Sequence, residues 1–386
     1  MVPIVIRILH TADLQVGKGF HFVADERRRG VLAEKRLEAI DRIKALAEDA
    51  DEPADAVLIA GDLFDSNTVD ERDVVHACAK LGAIPCPVVI IPGNHDHGGA
   101  ASVFVSVRWR RNVPDNVSVA LEPGAIDLLD GRLSVLCAPL TQRHERRPVS
   151  DRLNAEMGAS AAVRIGLAHG AVKGFDAYKR AIENEVKLDV IERARLDYLA
   201  LGDWHGTRQE TDRAWYAGTP EPDRFKDNDA GHVLRVTIDG PGATPVVEKL
   251  ATGEIAWCRH EAELLDDGDV AALGEALGKL PANAMLHLTL RGTLSLGAMA
   301  ELDETLDDAR GHLLHVGLYG DGVMADPTDD ELNAMATAGY VREAVQLLVA
   351  ARDGEEDDVA TDALRLLYRL RTPPSEGVGA ARGASA

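Results

Sequence analysis

The sequence predicts an α/β fold, with strands buried on both faces between amphipathic helices, then a small α+β module and two C-terminal helices. Three observations carry that expectation. Short apolar runs recur up to about residue 240, and they are apolar throughout rather than alternating, the pattern of strands covered on both sides. Helical periodicity lies between them, first over residues 32–47. After TIDGPGATP (237–245), rich in Gly and Pro, the character of the chain changes.

Taken in order, the runs are IVIRIL (4–9), AVLIA (56–60), VVIIP (88–92), LSVLCAP (133–139), VRIGLA (163–168), DYLAL (197–201) and HVLRVTI (232–238). Between the first two, Leu32, Ala39, Ile40, Ile43, Leu46 and Ala47 recur at helical spacing among charges. After GDLFD a helix is expected to begin near Val69, with Asp65 or Ser66 as its cap. Past residue 245, one helical segment, DVAALGEALGKL, alternates with strands such as MLHLTLRG and HLLHVGLY. TDDELNAMATAGYVREAVQLLVAA and VATDALRLLYRLR then read as two helices joined by the acidic DGEEDD. The expected domains are therefore 1–245, 246–325, the helices 326–372, and a disordered tail 373–386.

The bulk composition narrows the class. A chain of 386 residues with 46% hydrophobic and 27% charged residues fits a globular protein of one large domain and one or two small ones. No apolar run approaches the roughly 20 residues that span a bilayer. MVPIVIRILH carries Arg7 inside its run and lacks a basic leader, so no signal peptide is expected. Cys78, Cys86, Cys137 and Cys258 form no CxxC pair and read as small buried hydrophobes of a cytoplasmic protein. The net charge of −22 argues against a surface that grips nucleic acid everywhere, although arginines cluster in ERRRG, RWRRN and RHERR.

Ligands of α/β sheets bind beyond the carboxyl ends of the strands, and five runs here end in polar clusters. The first ends in Asp13 and Gln15, the second in GDLFD, the third in GNHDHG, the fifth in HG and the sixth in GDWHG. Each motif alone is weak: GNHD makes an ordinary turn, and a lone histidine after a strand is more often packed than ligating. Their ordered conjunction, DxQ, GDxxD, GNHD, HG and GDxH, is specific. It resembles the calcineurin-like metallophosphoesterases, whose order is DxH, GDxxD, GNHD or GNHE, H and GHxH. Within that superfamily, ILHTADLQVGKGF, GDLFDS, IPGNHD, LGDWHG and YAGTPEPDRF resemble the exonuclease subunits of the SbcD type, over roughly residues 4–240.

The resemblance implies a β-sandwich flanked by helices, a small capping domain, and C-terminal helices that dock an SbcC-like coiled-coil ATPase. It implies DNA as substrate, a homodimer, and two divalent ions. One ion would be held by Asp13, Gln15, Asp62 and His205, the other by Asp62, Asn94, His169 and Asp203, with Asp62 bridging. His95 would contact the phosphate and protonate the leaving oxygen, and Asp96 would orient it. The chemistry suits the pattern, because two ions about 3.5–4 Å apart stabilise both the attacking and the leaving oxygens of an in-line displacement. Glycines before Asp62, Asn94 and Asp203 are expected to let the chain turn at the sheet edge. The last helices offer Leu364, Leu366, Leu367 and Leu370 for docking.

Two positions depart from the family: Gln15 replaces a histidine, and Asp203 replaces the first histidine of GHxH. Both can ligate through oxygen, which makes the site harder and favours Mn²⁺, or Mg²⁺, over Zn²⁺. Rival functions are a phosphatase or phosphodiesterase acting on nucleotides or phosphoproteins, and a non-catalytic adaptor with a degenerate site. Among other residues, His10 is expected to pack or support, His97 to lie exposed, and Trp204 to pack under its loop or stack a base.

Overall fold

The computed structural model describes residues 5–159, 162–172, 183–325 and 339–352, with 359–361, 363–364 and 366–367. The chain folds as two units, Met1–Ile255 and Ala256–Ala386.

The first unit opens with β1 (Ile6–Thr11), α1 (Glu26–Ala47), β2 (Ala56–Ala60), α2 (Glu71–Gly82), β3 (Val88–Ile91), α3 (Val107–Asn112) and β4 (Val117–Val119). It continues with β5 (Gly124–Leu128), β6 (Leu133–Ala138), β7 (Val163–His169), β8 (Ala171–Val172), β9 (Glu185–Val186), α4 (Val190–Arg193) and β10 (Tyr198–Gly202). The strands β11 (Arg208–Thr211), β12 (Ala214–Tyr216), β13 (His232–Ile238) and β14 (Val246–Ala251) complete it. Two six-stranded sheets result, in the orders β14-β13-β1-β2-β3-β4 and β11-β12-β10-β7-β6-β5. Strands β1 to β4 run parallel in the first sheet, and β6, β7, β10 and β12 run parallel in the second; the antiparallel strands sit toward the edges.

Successive strand residues point to opposite faces, and here each face meets apolar neighbours. Ile8, Leu58 and Val89 face the other sheet, where Val135, Ile165, Leu167 and Tyr198 receive them. Their neighbours Leu9, Ile59 and Ile90 face outward, onto Ile40 and Ile43 of α1 and Val74 and Cys78 of α2. On the far side, Leu136, Leu199 and Leu201 pack with Val149, Val190 and Ile191. This is the β-sandwich flanked by helices that the sequence implies, and its parallel strands deliver their carboxyl ends to one rim of each sheet.

Three local readings are corrected. Helix α2 is capped by Asp70, whose side chain accepts from the Arg72 amide, rather than by Asp65 or Ser66. Residues 246–251, assigned by composition to the next domain, form β14 and pair along β13, so the first unit runs to Ile255. Gly61 does adopt a left-handed φ of +92°, but a Cβ on Gly93 would meet Asp62 Oδ1 at 2.1 Å, and one on Gly202 would meet the Ala60 carbonyl at 2.0 Å. Close approach, rather than a turn, requires those two glycines.

The second unit contains β15 (Ala256–Leu264), α5 (Asp267–Gly278), β16 (Ala284–Leu294), α6 (Leu296–His312) and β17 (His315–Ala325). The three strands are parallel in the order β15-β16-β17, and Val270, Leu273, Leu302 and Leu306 of the two helices cover Leu286, Leu288 and Leu290. There are thus two helices here where the sequence reading named one. Beyond them, α7 (Tyr340–Arg352) buries Val345 against Leu364, while Leu366 is exposed. Leu364 is therefore committed to its own unit; Leu370 and the tail 373–386 lie outside the described residues. Among the described residues, no helix is long and apolar enough to cross a membrane.

Candidate metal centre

Asp13 and Gln15 follow β1, Asp62 follows β2, and Asn94, His95 and Asp96 follow β3. From the second sheet come His169 at the end of β7 and Asp203 and His205 after β10. The first two loops are stitched together, because the Asp13, Gln15 and Val16 amides donate to the carbonyls of Gly61, Asp62 and Leu63. Asp13, Gln15, Asp62 and Asp203 all hold positive φ, at 55°, 44°, 53° and 100°. Such conformations cost on the order of 1–3 kcal/mol each and persist where surrounding structure over-determines them.

The side chains converge on a small volume. Ligand atoms of Asp13, Asp62 and His169 all lie within 4.8 Å of one another. The His169 Nδ1 hydrogen is committed to the Ala60 carbonyl at 2.8 Å, which directs Nε2 at Asn94 Oδ1 (2.8 Å), Asp62 Oδ2 (3.6 Å) and Asp203 Oδ1 (3.7 Å). Burial alone would lower the His169 pKa, but the charges of Asp62, Asp13 and Asp203 outweigh it and lift the value to about 9. Burial raises Asp13 to about 6, against the pull of His205 and His169, and raises Asp203 as well. Two carboxylates, an amide oxygen and an imidazole nitrogen that a cation frees of its proton, all aimed at one point, form a donor set that suits a hard divalent cation. At the other end, Asp13 receives the Asp203 amide at 3.3 and 3.2 Å, and His205 Nε2 stands 3.9 Å from Asp13 Oδ1.

Gln15 is brought to the centre in an unexpected orientation. Its amide oxygen accepts from Lys18 Nζ at 2.7 Å, so the NH₂ group is the part that faces His205 Nε2, at 3.3 Å. The expected oxygen ligand is thus engaged elsewhere. Asp96 also differs from expectation: its carboxylate accepts from the Gly93 and Phe64 amides, at 2.7 and 3.1 Å, and so fastens the loops after β2 and β3 to each other. Burial, reinforced by Asp62, pushes its pKa up to about 7. The His95 ring is held instead by the Asp65 carbonyl, 2.8 Å from Nδ1, and the His95 amide donates to Asp62 Oδ1 at 2.9 Å.

Sequence reasoning missed the supports. Asp223 of EPDRF takes His205 Nδ1 at 3.0 Å, Lys18 Nζ at 2.9 Å and both arms of Arg224 at 2.9 Å. Burial would raise Asp223, yet the hydrogen bond and charge of His205, with Arg224 and Arg36, hold it well below the usual carboxylate range. Arg36, fully buried on α1, donates to the carbonyls of Asp13, Leu14 and Glu221 and to the Thr219 hydroxyl. Its position four residues after Leu32, on the buried face of α1, was the available signal.

The remaining residues fall into place. His10 bonds the Tyr198 hydroxyl and the Leu201 carbonyl, and burial drives its pKa down to about 3, a packing role as expected. His97 is half-buried rather than exposed, with Nδ1 enclosed. Lys226 Nζ lies 4.1 Å above the Trp204 ring.

Known proteins resemble this chain over much of its length. The DNA double-strand break repair protein Mre11 of Aeropyrum pernix is 26% identical over 303 residues, covering 72% of this chain and 68% of that one. The solved structure of TT1561 of Thermus thermophilus aligns with 64% of this chain and 99% of its own, at 16% identity and a TM-score of 0.39. The sequence profile of the calcineurin-like phosphoesterases matches residues 6–206, from β1 through the loop that carries His205. That match spans more than half of the chain and every loop of the centre, and the protein accordingly belongs to the calcineurin-like phosphoesterase family, hydrolases of phosphoesters that use divalent metal ions.

Proposed function

We propose that this protein is a metal-dependent DNA nuclease that hydrolyses phosphodiester bonds in DNA repair, working with a coiled-coil ATPase of the SbcC type. The observation that carries the reading is the meeting of Asp13, Asp62, Asn94, His169, Asp203 and His205 from two sheets, with His95 beside them. The likeness to a DNA repair protein supports the substrate class, since it covers 72% of the chain and so reaches beyond the phosphoesterase match at 6–206.

In this reading Asp62, Asn94, His169 and Asp203 hold one divalent ion, and Asp13, Asp62 and His205 hold the other, Mn²⁺ ahead of Mg²⁺ for so oxygen-rich a set. Bound ions would polarise the phosphate and acidify water enough for attack at neutral pH. The protein supplies the rest. Asp62 offers two oxygens, one steadied by the His95 amide at 2.9 Å. A carbonyl only accepts, so the His95 Nδ1 keeps its hydrogen on Asp65, and Nε2 of the imidazolium delivers a proton to the leaving oxygen. Asp223 keeps the Nδ1 hydrogen of His205 in place. The ATPase partner, docked on the C-terminal helices around Leu366, supplies DNA contacts that a chain of net charge −22 lacks.

The test is an assay of purified protein with Mn²⁺ on linear double-stranded DNA, single-stranded DNA and a chromogenic phosphodiester, with and without the ATPase, and with Asp62→Asn as control. Cleavage of DNA that disappears in the control is expected. Hydrolysis of the chromogenic ester alone, with the ATPase present, would instead favour a small-molecule phosphodiesterase. No hydrolysis and no bound metal would mark an adaptor.

A further inference from the structure

We propose that Lys18 and Gln15 form a latch over the His205 end of the centre, so that the chain takes one divalent ion tightly and admits the second only when Gln15 gives way. The inference rests on the metal-centre reading above and concerns the inequality of its two positions.

The atom assignments follow from which groups can donate. An ammonium has hydrogens and no lone pair, so the partner of Lys18 Nζ at 2.7 Å must be the Gln15 oxygen. The NH₂ end of the same amide then lies 3.3 Å from His205 Nε2. An NH₂ group only donates, so His205 Nε2 accepts from Gln15 through its lone pair and the imidazole hydrogen sits on Nδ1, where Asp223 Oδ2 lies at 3.0 Å. Arg224 closes on both Asp223 oxygens at 2.9 Å, and its Nη2, which already gives a hydrogen to Asp223 Oδ2, lies 3.0 Å from the same Nδ1. Gln15 therefore donates into the lone pair that a metal ion would need.

The latch is held from both sides. Lys18 reaches Asp223 Oδ2 at 2.9 Å as well as Gln15, with Asp65 Oδ1 at 3.9 Å. Gln15 is 1% exposed, and its backbone is pinned by its amide to the Asp62 carbonyl at 2.9 Å and by the Lys18 amide at 3.2 Å to its own carbonyl. An ion entering between Asp13 and His205 must break the Gln15–His205 bond, and either turn the amide away from Lys18 or forgo it as a ligand. It also meets the Lys18 ammonium. At the other position no ammonium stands in the way and the donor atoms Asn94 Oδ1, Asp62 Oδ2, Asp203 Oδ1 and His169 Nε2 already gather, so an ion there displaces only the hydrogen that His169 Nε2 gives to Asn94 Oδ1 at 2.8 Å.

Titration of the full chain with Mn²⁺, followed by calorimetry and by the electron paramagnetic resonance signal of a spin-coupled Mn²⁺ pair, tests the latch. One ion is expected to bind at least about tenfold more tightly than the second. Lys18→Met, which keeps the aliphatic stem and removes the donor, and Gln15→His, which restores a nitrogen ligand, are each expected to tighten only the second ion, by tenfold or more. The coupled-pair signal then appears at lower Mn²⁺. Lys18→Arg should keep the wild-type inequality, and thermal melting establishes that each variant is folded. Two equal ions in the wild type, or an unchanged second affinity in both Lys18→Met and Gln15→His, would overturn the latch while leaving the centre standing. Failure of every form to bind Mn²⁺, or full binding by Asp62→Ala, would overturn the metal-centre reading itself.

Discussion

His95 Nδ1 lies 2.8 Å from the main-chain carbonyl of Asp65, a bond that ties the loop after β3 to the loop after β2 and fixes which ring nitrogen keeps its hydrogen. The ring is partly open to solvent on its other side, with 30% of the side chain exposed. In the proposed mechanism His95 is the general acid, a role that contributes roughly 10²–10⁴-fold to rate. His95→Asn should lower kcat on a phosphodiester by about that factor while Mn²⁺ content, measured by elemental analysis, stays at the wild-type level. A drop in bound metal of similar size would instead make His95 part of the metal-holding set.

Arg36 braces the Asp13 loop from within the core. Its guanidinium feeds the carbonyls of Asp13 and Leu14 at 2.8 Å each, and the carbonyl of Glu221 and hydroxyl of Thr219 at 2.8 and 3.1 Å, all within the core. Arg36→Met conserves much of the volume but leaves several buried acceptors unmatched, at about 1–3 kcal/mol for each that water cannot reach. A loss of about 3–5 kcal/mol in urea unfolding is expected from several such acceptors together. A change under about 1 kcal/mol, less than one unmatched acceptor costs, would show that the loop finds other donors.

The parts of the molecule that could be read from sequence are those set by local pattern. Buried parallel strands announce themselves as unbroken apolar runs, so β2 begins and ends where AVLIA does, and the antiparallel β13, covered on both faces as well, matches HVLRVTI. The loops after the parallel strands are legible because ligand residues must follow strand ends in order. Edge strands such as β4, β11 and β14 carry no such run: β14 has only exposed and half-buried residues and owes its place to β13. Helix α6 had a signal, Ala298, Leu302, Leu306 and Ala309 on one face, hidden among acidic residues. What could not be read was tertiary. Nothing in the spacing says that Asp223 reaches His205, that Asp65 rather than Asp96 holds His95, or that Lys18 turns the Gln15 amide.

Asp223 should matter to metal affinity although its own oxygens are committed to His205, Lys18 and Arg224. Partners that orient a ligating histidine typically change affinity about 10–100-fold when altered. Asp223→Asn should therefore weaken Mn²⁺ binding by that range in calorimetry, with the larger loss on the second ion, which the proposed arrangement assigns to His205. Equal weakening of both ions would mean that the substitution acts through the loop rather than through the imidazole.

Glu145 gives the first unit a pH dependence that is independent of the metal centre. Its carboxylate, 8% exposed, pairs with Arg152 Nη2 at 2.7 Å and accepts from the Thr141 hydroxyl at 2.8 Å. Burial would raise its pKa, but those bonds win and carry it from 4.5 down to about 2. A folded-state value below the unfolded one means that the folded chain holds the proton less readily. The stabilisation is thus complete above about pH 4.5 and is lost as pH falls through about 2. Its ceiling at neutral pH is about 3–4 kcal/mol, from about 1.4 kcal/mol per pKa unit. Glu145→Gln keeps an acceptor for Thr141 and gives up the charge on Arg152, so the gap in unfolding free energy between wild type and variant should be widest from about pH 5 to 8 and narrow steadily below about pH 4.5. Parallel urea titrations at several pH values would show it, and a gap that does not change with pH would place the stabilisation in packing around Glu145 instead of in its charge.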